Sequence, residues 1–170
     1  FNKENDRYHI VLLAKNLKGY QNLMKIQTEA SRKYYHYKPI FTFELLEKYN
    51  EGLIMSTACA GGYIPKMITQ GMSDENLIEI VNRFKDIFDD DFYLEVMPVD
   101  LDIQPKINST MVRLGEKTDT EVIITNDSHY TEADAWETYR LMMAIKDKNP
   151  GAVYENRYMP TEKQLKTLLN

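Results

Sequence analysis

Short apolar runs alternate along the chain with longer segments whose apolar residues recur at helical spacing. The runs at residues 8–14, 52–58, 91–99 and 120–125 are rich in branched and aromatic residues, which is typical of buried strands. Each run is followed by apolar residues spaced three or four positions apart, which predicts amphipathic helices. The alternation of strand and helix predicts an α/β fold with parallel strands and right-handed crossovers.

Capping residues mark where several of the predicted helices begin. Thr42 and Ser73 each precede a helical segment, and Thr161 opens the pattern T-E-K-Q, which is a capping box. Long helices are predicted over residues 18–35 and 132–148. In the second of these, the apolar residues are predicted to belong to the core; they are Leu141, Met142, Met143 and Ile145.

Candidate functional residues follow two of the predicted strands, at the edge where α/β proteins usually place their sites. Cys59 follows the second strand, and Asp127 and His129 follow the fourth. His9 falls near the start of the first strand. In an all-parallel sheet this position argues against grouping His9 with the other three residues.

Asp127 and His129 have the D-x-H spacing that lets two side chains just past a strand point to one side. Carboxylate and imidazole ligate Zn²⁺, Mn²⁺ and Fe²⁺, and the thiolate of Cys59 favours zinc or another soft metal. Such ions polarise phosphoryl oxygens and generate hydroxide near neutral pH, which suits phosphoester hydrolysis without a protein nucleophile. No catalytic residue beyond the metal ligands is predicted.

Spacing alone leaves structural roles open for the same residues. An aspartate in a strand-to-helix loop also caps helices, and a lone cysteine beside two alanines also packs as a small core residue. His9 beside an apolar run also fits a buried or strand-end histidine. These residues need a further observation before a metal site is inferred.

The composition of the chain restricts the classes of function that it can have. The chain of 170 residues is 43% hydrophobic, enough for the core of one domain, and no repeat or long linker divides it. The net charge of −5 disfavours unaided binding of nucleic-acid phosphates, so such a role would need metal ions or a partner domain. A single cysteine excludes an internal disulfide and fits a cytoplasmic location, and no apolar run predicts a membrane partner.

Five segments carry a resemblance to a known family. In order they are "HIVLLAKNLKGYQNLMKI", "ELLEKYNEGLIMSTACAGGYIPKMI", "FYLEV", "VIITNDSHYTEADAW" and "YMPTEKQL". Their order resembles the PHP domain of bacterial or phage DNA polymerase III alpha subunits, over nearly the whole chain. The resemblance implies a distorted (βα)7 barrel holding up to three Zn, Mn or Fe ions, and it places His9, Cys59, Asp127 and His129 at ligand positions.

The chain departs from that family in two places. The family's H-x-H motif and further ligands precede "HIVLLAKN", and none is present here; residues 60–63 also read Ala-Gly-Gly-Tyr where Leu-Ala-Gly-Glu is usual. We therefore expect residues 1–170 to form a single domain, a PHP fragment. Its fold would be a partial distorted barrel with the first strands missing and an incomplete metal set. Open sheet edges would then favour self-association.

The resemblance supports three functions. The first is a metal-dependent 3′–5′ exonuclease or phosphoesterase site within a replicative polymerase, whose partners are DNA, the other polymerase domains and replisome subunits. The second is a non-catalytic scaffold module of that polymerase. The third, less favoured, is a free-standing PHP phosphatase. The carboxylates of nucleotidyl transfer are not expected in these residues, so the fragment alone is expected to be inactive.

Overall fold

The computed structural model describes residues 7–36, 38–147 and 157–168, which form a mixed α/β fold. The strands are β1 (Val11–Ala14), β2 (Tyr35–His36), β3 (Lys38–Pro39), β4 (Leu53–Ser56), β5 (Phe92–Val96) and β6 (Val122–Ile124). The helices are α1 (Leu17–Lys33), α2 (Phe43–Tyr49), α3 (Tyr63–Thr69), α4 (Asp74–Phe88), α5 (Gln104–Thr118), α6 (Trp136–Asp147) and α7 (Glu162–Leu168). The predicted α/β class is therefore confirmed.

The main sheet has the strand order β1-β4-β5-β6. The pairs β4–β5 and β5–β6 are parallel, as predicted. The prediction of an all-parallel sheet is wrong for β1, which runs antiparallel to β4 with Val11 opposite Ser56 and Ala14 opposite Leu53. Within the described residues the sheet has edges at β1 and β6, and closure into a barrel stays a prediction.

β1 and β4 pair antiparallel because the chain returns along α1 before β4 begins. Near the start of α1, Gly19 lies against Gly52, and near its far end Glu29 binds Lys48. The chain therefore comes back to the point where it left β1, and β4 begins beside Ala14. No side chain fits between the two glycines, because a Cβ on Gly19 would lie 1.8 Å from the Gly52 oxygen.

The core lies between the central strands and the helices packed on them. Its most enclosed side chains are at most 1% exposed and include Ile26, Leu53, Met55, Phe92, Leu94, Ile107, Met111 and Leu114. The apolar face predicted for the helix after Ser73 comprises Leu77, Ile80, Val81, Phe84 and Phe88. All of these are buried except Ile80, which is partly buried against the core. In the described parts of the chain, no helix combines the length and the apolar character needed to cross a bilayer.

The predicted caps are confirmed. The side chains of Thr42 and Ser73 accept from main-chain N–H groups of α2 and α4, and Thr161 exchanges two hydrogen bonds with Gln164. Each bond satisfies a donor that the first helical turn leaves without an intrahelical partner.

Two helix predictions need correction. The first long helix stops at Lys33, because Tyr34 leaves the helical region at φ −127°, and the next two residues form β2, which pairs antiparallel with β3. Of the four apolar residues predicted in the core, Leu141, Met142 and Ile145 are 61%, 58% and 81% exposed, and Met143 is only partly buried. Helical spacing shows that α6 has an apolar face but not that the sheet covers it.

Replacing Gly19 with alanine tests the close approach of α1 to Gly52. Alanine favours an exposed helix by about 1 kcal/mol over glycine, yet the main-chain clash should reverse that sign and destabilise the fold by about 1–3 kcal/mol. Urea unfolding measures the change, with Gln21→Ala at an exposed position of α1 as the control. A Gly19→Ala variant as stable as the control would contradict the packing.

Glu29 provides a pH test of the α1–α2 contact. Hydrogen bonds from Lys48, Tyr49 and Lys33 lower the pKa of the Glu29 carboxyl from 4.5 to about 2. Because the folded pKa is depressed, the stabilisation is complete above the ordinary glutamate pKa and is lost as pH falls toward 2. Glu29→Gln should therefore lower the thermal midpoint at pH 7, and the difference from wild type should shrink below pH 4.5.

The matched control is Glu116→Gln, an exposed glutamate of α5. Its effect on the thermal midpoint should be small at every pH. A Glu29→Gln effect that stayed constant down to pH 3 would show that the carboxylate charge does not stabilise the helix pair.

Candidate metal centre

The antiparallel direction of β1 places His9 at the same sheet edge as the end of β4. His9 precedes β1, and its main-chain N–H donates to the Gly61 oxygen at 2.9 Å, within a parallel bridge to Gly62. The objection that His9 lies at the wrong end of its strand therefore does not hold. It applied only to an all-parallel sheet.

His9 and Cys59 lie side by side, although 50 residues separate them in sequence. The Cys59 Sγ is 3.7 Å from the His9 Nδ1. Two ligands of one tetrahedral zinc ion, with Zn–N and Zn–S bonds of ordinary length, would be about 3.6 Å apart. The separation is that of a hydrogen bond between the thiol and the ring, and it also fits the donor spacing of a shared metal ion. The Cys59 thiol is free and partly exposed.

The loop from Thr57 to Gly62 depends on its small residues. Ala58 adopts a left-handed conformation with φ 58°. A Cβ on Gly62 would lie 2.0 Å from the Thr57 oxygen, and one on Gly61 would lie 3.1 Å from the His9 ring. The residues Ala-Gly-Gly after Cys59 thus make room for the tight turn and for the imidazole.

Glu95 lies on β5, between the end of β4 and the end of β6, and no sequence pattern had selected it. Its carboxylate, 5% exposed, accepts from the Ser56 hydroxyl at 2.5 Å, the Ala58 N–H at 2.7 Å and the Thr125 hydroxyl at 2.5 Å. An acid inside an otherwise apolar strand was the available signal, since a buried carboxylate is costly unless it is hydrogen-bonded.

Asp127 and His129 lie in the loop after β6, where residues 157–158 pack against them. Asp127 has φ 47°, and its carboxylate accepts from the Arg157 guanidinium, whose side chain is 10% exposed. The Arg157 carbonyl accepts the His129 N–H at 2.7 Å, and the Tyr158 carbonyl accepts the Ser128 hydroxyl at 2.9 Å. The Asp127 carboxylate therefore forms an ion pair.

The His129 ring is oriented by its own loop. Nδ1 is 2.5 Å from the Asp127 carbonyl oxygen, and because a carbonyl only accepts, Nδ1 is the donor. In the neutral imidazole, Nε2 would then carry the lone pair. Histidines that bind metals usually donate their other ring N–H in this way, which fixes the tautomer and the ring direction. The exposed His129 side chain thus has the arrangement of a metal-binding imidazole.

The four predicted ligands occur as two pairs at one sheet edge, His9 with Cys59 and Asp127 with His129. Among the residues that the structure describes, no three His, Cys, Asp or Glu side chains are grouped closely enough to hold a metal ion. The donor chemistry and spacing of the first pair fit a metal, whereas the carboxylate of the second is engaged by Arg157. The complete four-residue site remains a prediction.

The family model of the PHP domain matches residues 1–98. The DNA polymerase III subunit alpha of Aquifex aeolicus is 39% identical over 145 residues, covering 84% of this chain and 12% of that protein. The subunit of the same name from Treponema pallidum is 31% identical over 161 residues, covering 94% of this chain and 13% of that protein.

The chain thus spans about an eighth of the length of the curated relatives that it matches. Those relatives cover most of the chain, including the loop that carries Asp127 and His129 in the longer of the two matches. The chain belongs to the PHP domain family.

Proposed function

We propose that these residues form the PHP domain of a replicative DNA polymerase III alpha subunit and carry part of a metal-dependent phosphoesterase site, used as a 3′–5′ exonuclease. The observation that carries the proposal is the 3.7 Å separation of the His9 and Cys59 donor atoms. It lies at the sheet edge where Asp127 and His129 also lie. The names of the relatives support the polymerase assignment.

In this proposal His9, Cys59, Asp127 and His129 would hold divalent ions, which would supply Lewis acidity and activate water near neutral pH. The protein's own residues set the donor atoms: the loop after β4 presents the thiol, and the Asp127 carbonyl orients the His129 ring. The chain has a net charge of −5, so it supplies little attraction for phosphate by itself. Metal ions and other polymerase domains would provide that attraction.

The proposal also covers where the protein acts and what it contacts. We expect a cytoplasmic location and contacts with DNA, with other polymerase domains and with replisome subunits. We also expect strands outside these residues to complete a PHP-type barrel. The exposed apolar side chains of Val11 and Leu13 on the edge strand β1 support such completion, because an uncovered apolar edge favours pairing. Self-association through β1 is the alternative means of covering it.

A non-catalytic scaffold is the second candidate, and the Asp127–Arg157 ion pair favours it. Arg157 already neutralises the carboxylate that would otherwise face a metal ion. A loop built around this pair would be ordered without bound metal. The two candidates therefore differ in whether Asp127 is available as a ligand.

Metal analysis with nuclease assays of the intact protein tests the first candidate. Cys59→Ala and Asp127→Asn should each reduce bound metal and lower metal-dependent 3′–5′ nuclease activity by at least about 10-fold, because each removes a ligand. Asp134→Asn, an exposed aspartate of the same segment, is the matched control and should change neither. Full nuclease activity in both ligand variants would exclude a catalytic role for the site.

Replacing Arg157 separates the two candidates. Arg157→Gln leaves the partly buried Asp127 carboxylate without its cation and should cost about 1–3 kcal/mol of stability, measured by urea unfolding. If Asp127 is a ligand, the same change should tighten metal binding, because a competing cation is removed. Arg157→Lys, which keeps the charge, should bind metal as wild type does. Unchanged affinity in Arg157→Gln would favour the scaffold.

A further inference from the structure

We propose that Glu95 is a positioning residue that holds the two ligand-bearing loops, after β4 and after β6, at a fixed separation. This inference rests on the proposed metal site. Glu95 belongs to the central strand β5, and each of its carboxylate oxygens reaches one of the neighbouring strand ends. It is assigned as a positioning residue rather than a ligand because both oxygens already accept hydrogen bonds from the protein.

One oxygen of Glu95 fixes the loop that carries Cys59. Oε1 accepts from the Ser56 hydroxyl and from the Ala58 N–H. Ala58 has the left-handed φ of 58°, which a residue with a side chain adopts only when its surroundings impose it. The hydrogen bond to the Ala58 N–H therefore holds the turn that directs Cys59 toward His9.

The other oxygen of Glu95 fixes the loop that carries Asp127. Oε2 accepts from the Thr125 hydroxyl, two residues before Asp127. The Thr125 N–H donates to the Val96 oxygen at 3.0 Å, so Thr125 is attached to β5 by both main chain and side chain. Asp127 also has a left-handed φ, of 47°. The position of this loop thus depends on the same carboxylate as the Cys59 loop.

The burial of Glu95 supports a positioning role over a purely structural one. The donors seen at its carboxylate are two hydroxyls and one main-chain N–H, all uncharged. A carboxylate that is 5% exposed gains little from neutral donors beyond its desolvation cost, so a leucine or methionine would serve a purely structural core at least as well. What the carboxylate adds is two acceptors in a fixed plane, one for each loop.

Two pairs of variants of the intact protein test the role. Glu95→Met removes both acceptor oxygens while keeping a side chain of similar length, and Glu121→Met makes the same change at the exposed N-terminal side of β6. Thr125→Val removes the hydroxyl that reaches Oε2, and Thr125→Ser retains it. The second pair keeps the proposal testable should Glu95→Met unfold, because valine matches threonine in shape.

Two measurements distinguish the role from general destabilisation. The first is the affinity for Co²⁺, followed by its thiolate absorption band. The second, which needs no metal, is hydrogen–deuterium exchange by mass spectrometry at peptides covering residues 57–62, compared with peptides of the β4 and β5 interiors. Glu95→Met and Thr125→Val should weaken Co²⁺ binding by about 10- to 100-fold, the usual effect of losing a residue that orients ligands. Glu121→Met and Thr125→Ser should match wild type.

Exchange at residues 57–62 should rise about 10-fold or more in Glu95→Met, which leaves the Ala58 N–H without this acceptor, while the strand interiors keep their wild-type rates. Wild-type Co²⁺ affinity in Glu95→Met and Thr125→Val would overturn the positioning role and leave the proposed metal site intact. Absence of Co²⁺ binding in the wild-type protein would overturn the proposed function. In that case unchanged exchange at residues 57–62 would overturn the positioning role as well.

Discussion

The contact between Gly19 and Gly52 determines where the candidate site can form. With no side chain on either residue, α1 starts directly against the turn that leads into β4, and the chain returns beside the end of β1. The two strands then run in opposite directions. The residues before β1 and those after β4 consequently meet at one sheet edge, which brings His9 to Cys59. A packing constraint in the helical layer thus decides which donor atoms are neighbours.

The candidate site is organised by polar contacts, whereas the helices and strands beneath it are held by apolar packing. Below these loops, β4 and β5 contribute side chains to the core, such as Met55 and Leu94, which are at most 1% exposed. At the edge itself, Glu95 and Thr57 connect the strand ends through hydrogen bonds to hydroxyl and main-chain groups. Apolar packing tolerates small shifts, whereas a carboxylate that accepts hydrogen bonds from two loops requires fixed distances. The polar contacts can therefore define loop positions that the core alone would leave free.

Much of the fold could be predicted from local patterns, because strands, helices and caps depend on neighbours in sequence. The caps at Thr42, Ser73 and Thr161 are such cases. The direction of β1 could not be predicted in this way, since it depends on how α1 and α2 pack and on two glycines 33 positions apart. The exposure of Leu141 and Ile145 on α6 was missed for a related reason: periodicity identifies an apolar face but not what lies opposite it.

The candidate site likewise contains residues that the sequence could select and residues whose roles depend on tertiary contacts. Family resemblance selected His9, Cys59, Asp127 and His129, and the structure pairs them two by two. Glu95 and Arg157 lie far from these residues in sequence and belong to no local motif, so their roles emerge only when the strand ends are assembled. Candidate ligand residues can be nominated by type and spacing and then selected by family resemblance. Residues that orient those ligands are recognised by contact.

The ion pair between Asp127 and Arg157 has a consequence for the order in which the domain matures. The loop carries its own counter-ion, supplied by a residue 30 positions further along the chain. Its negative charge is therefore compensated as soon as both segments have been synthesised and have docked. If Asp127 also binds an ion, as proposed, that ion would exchange with the Arg157 guanidinium in a loop whose charge is already compensated.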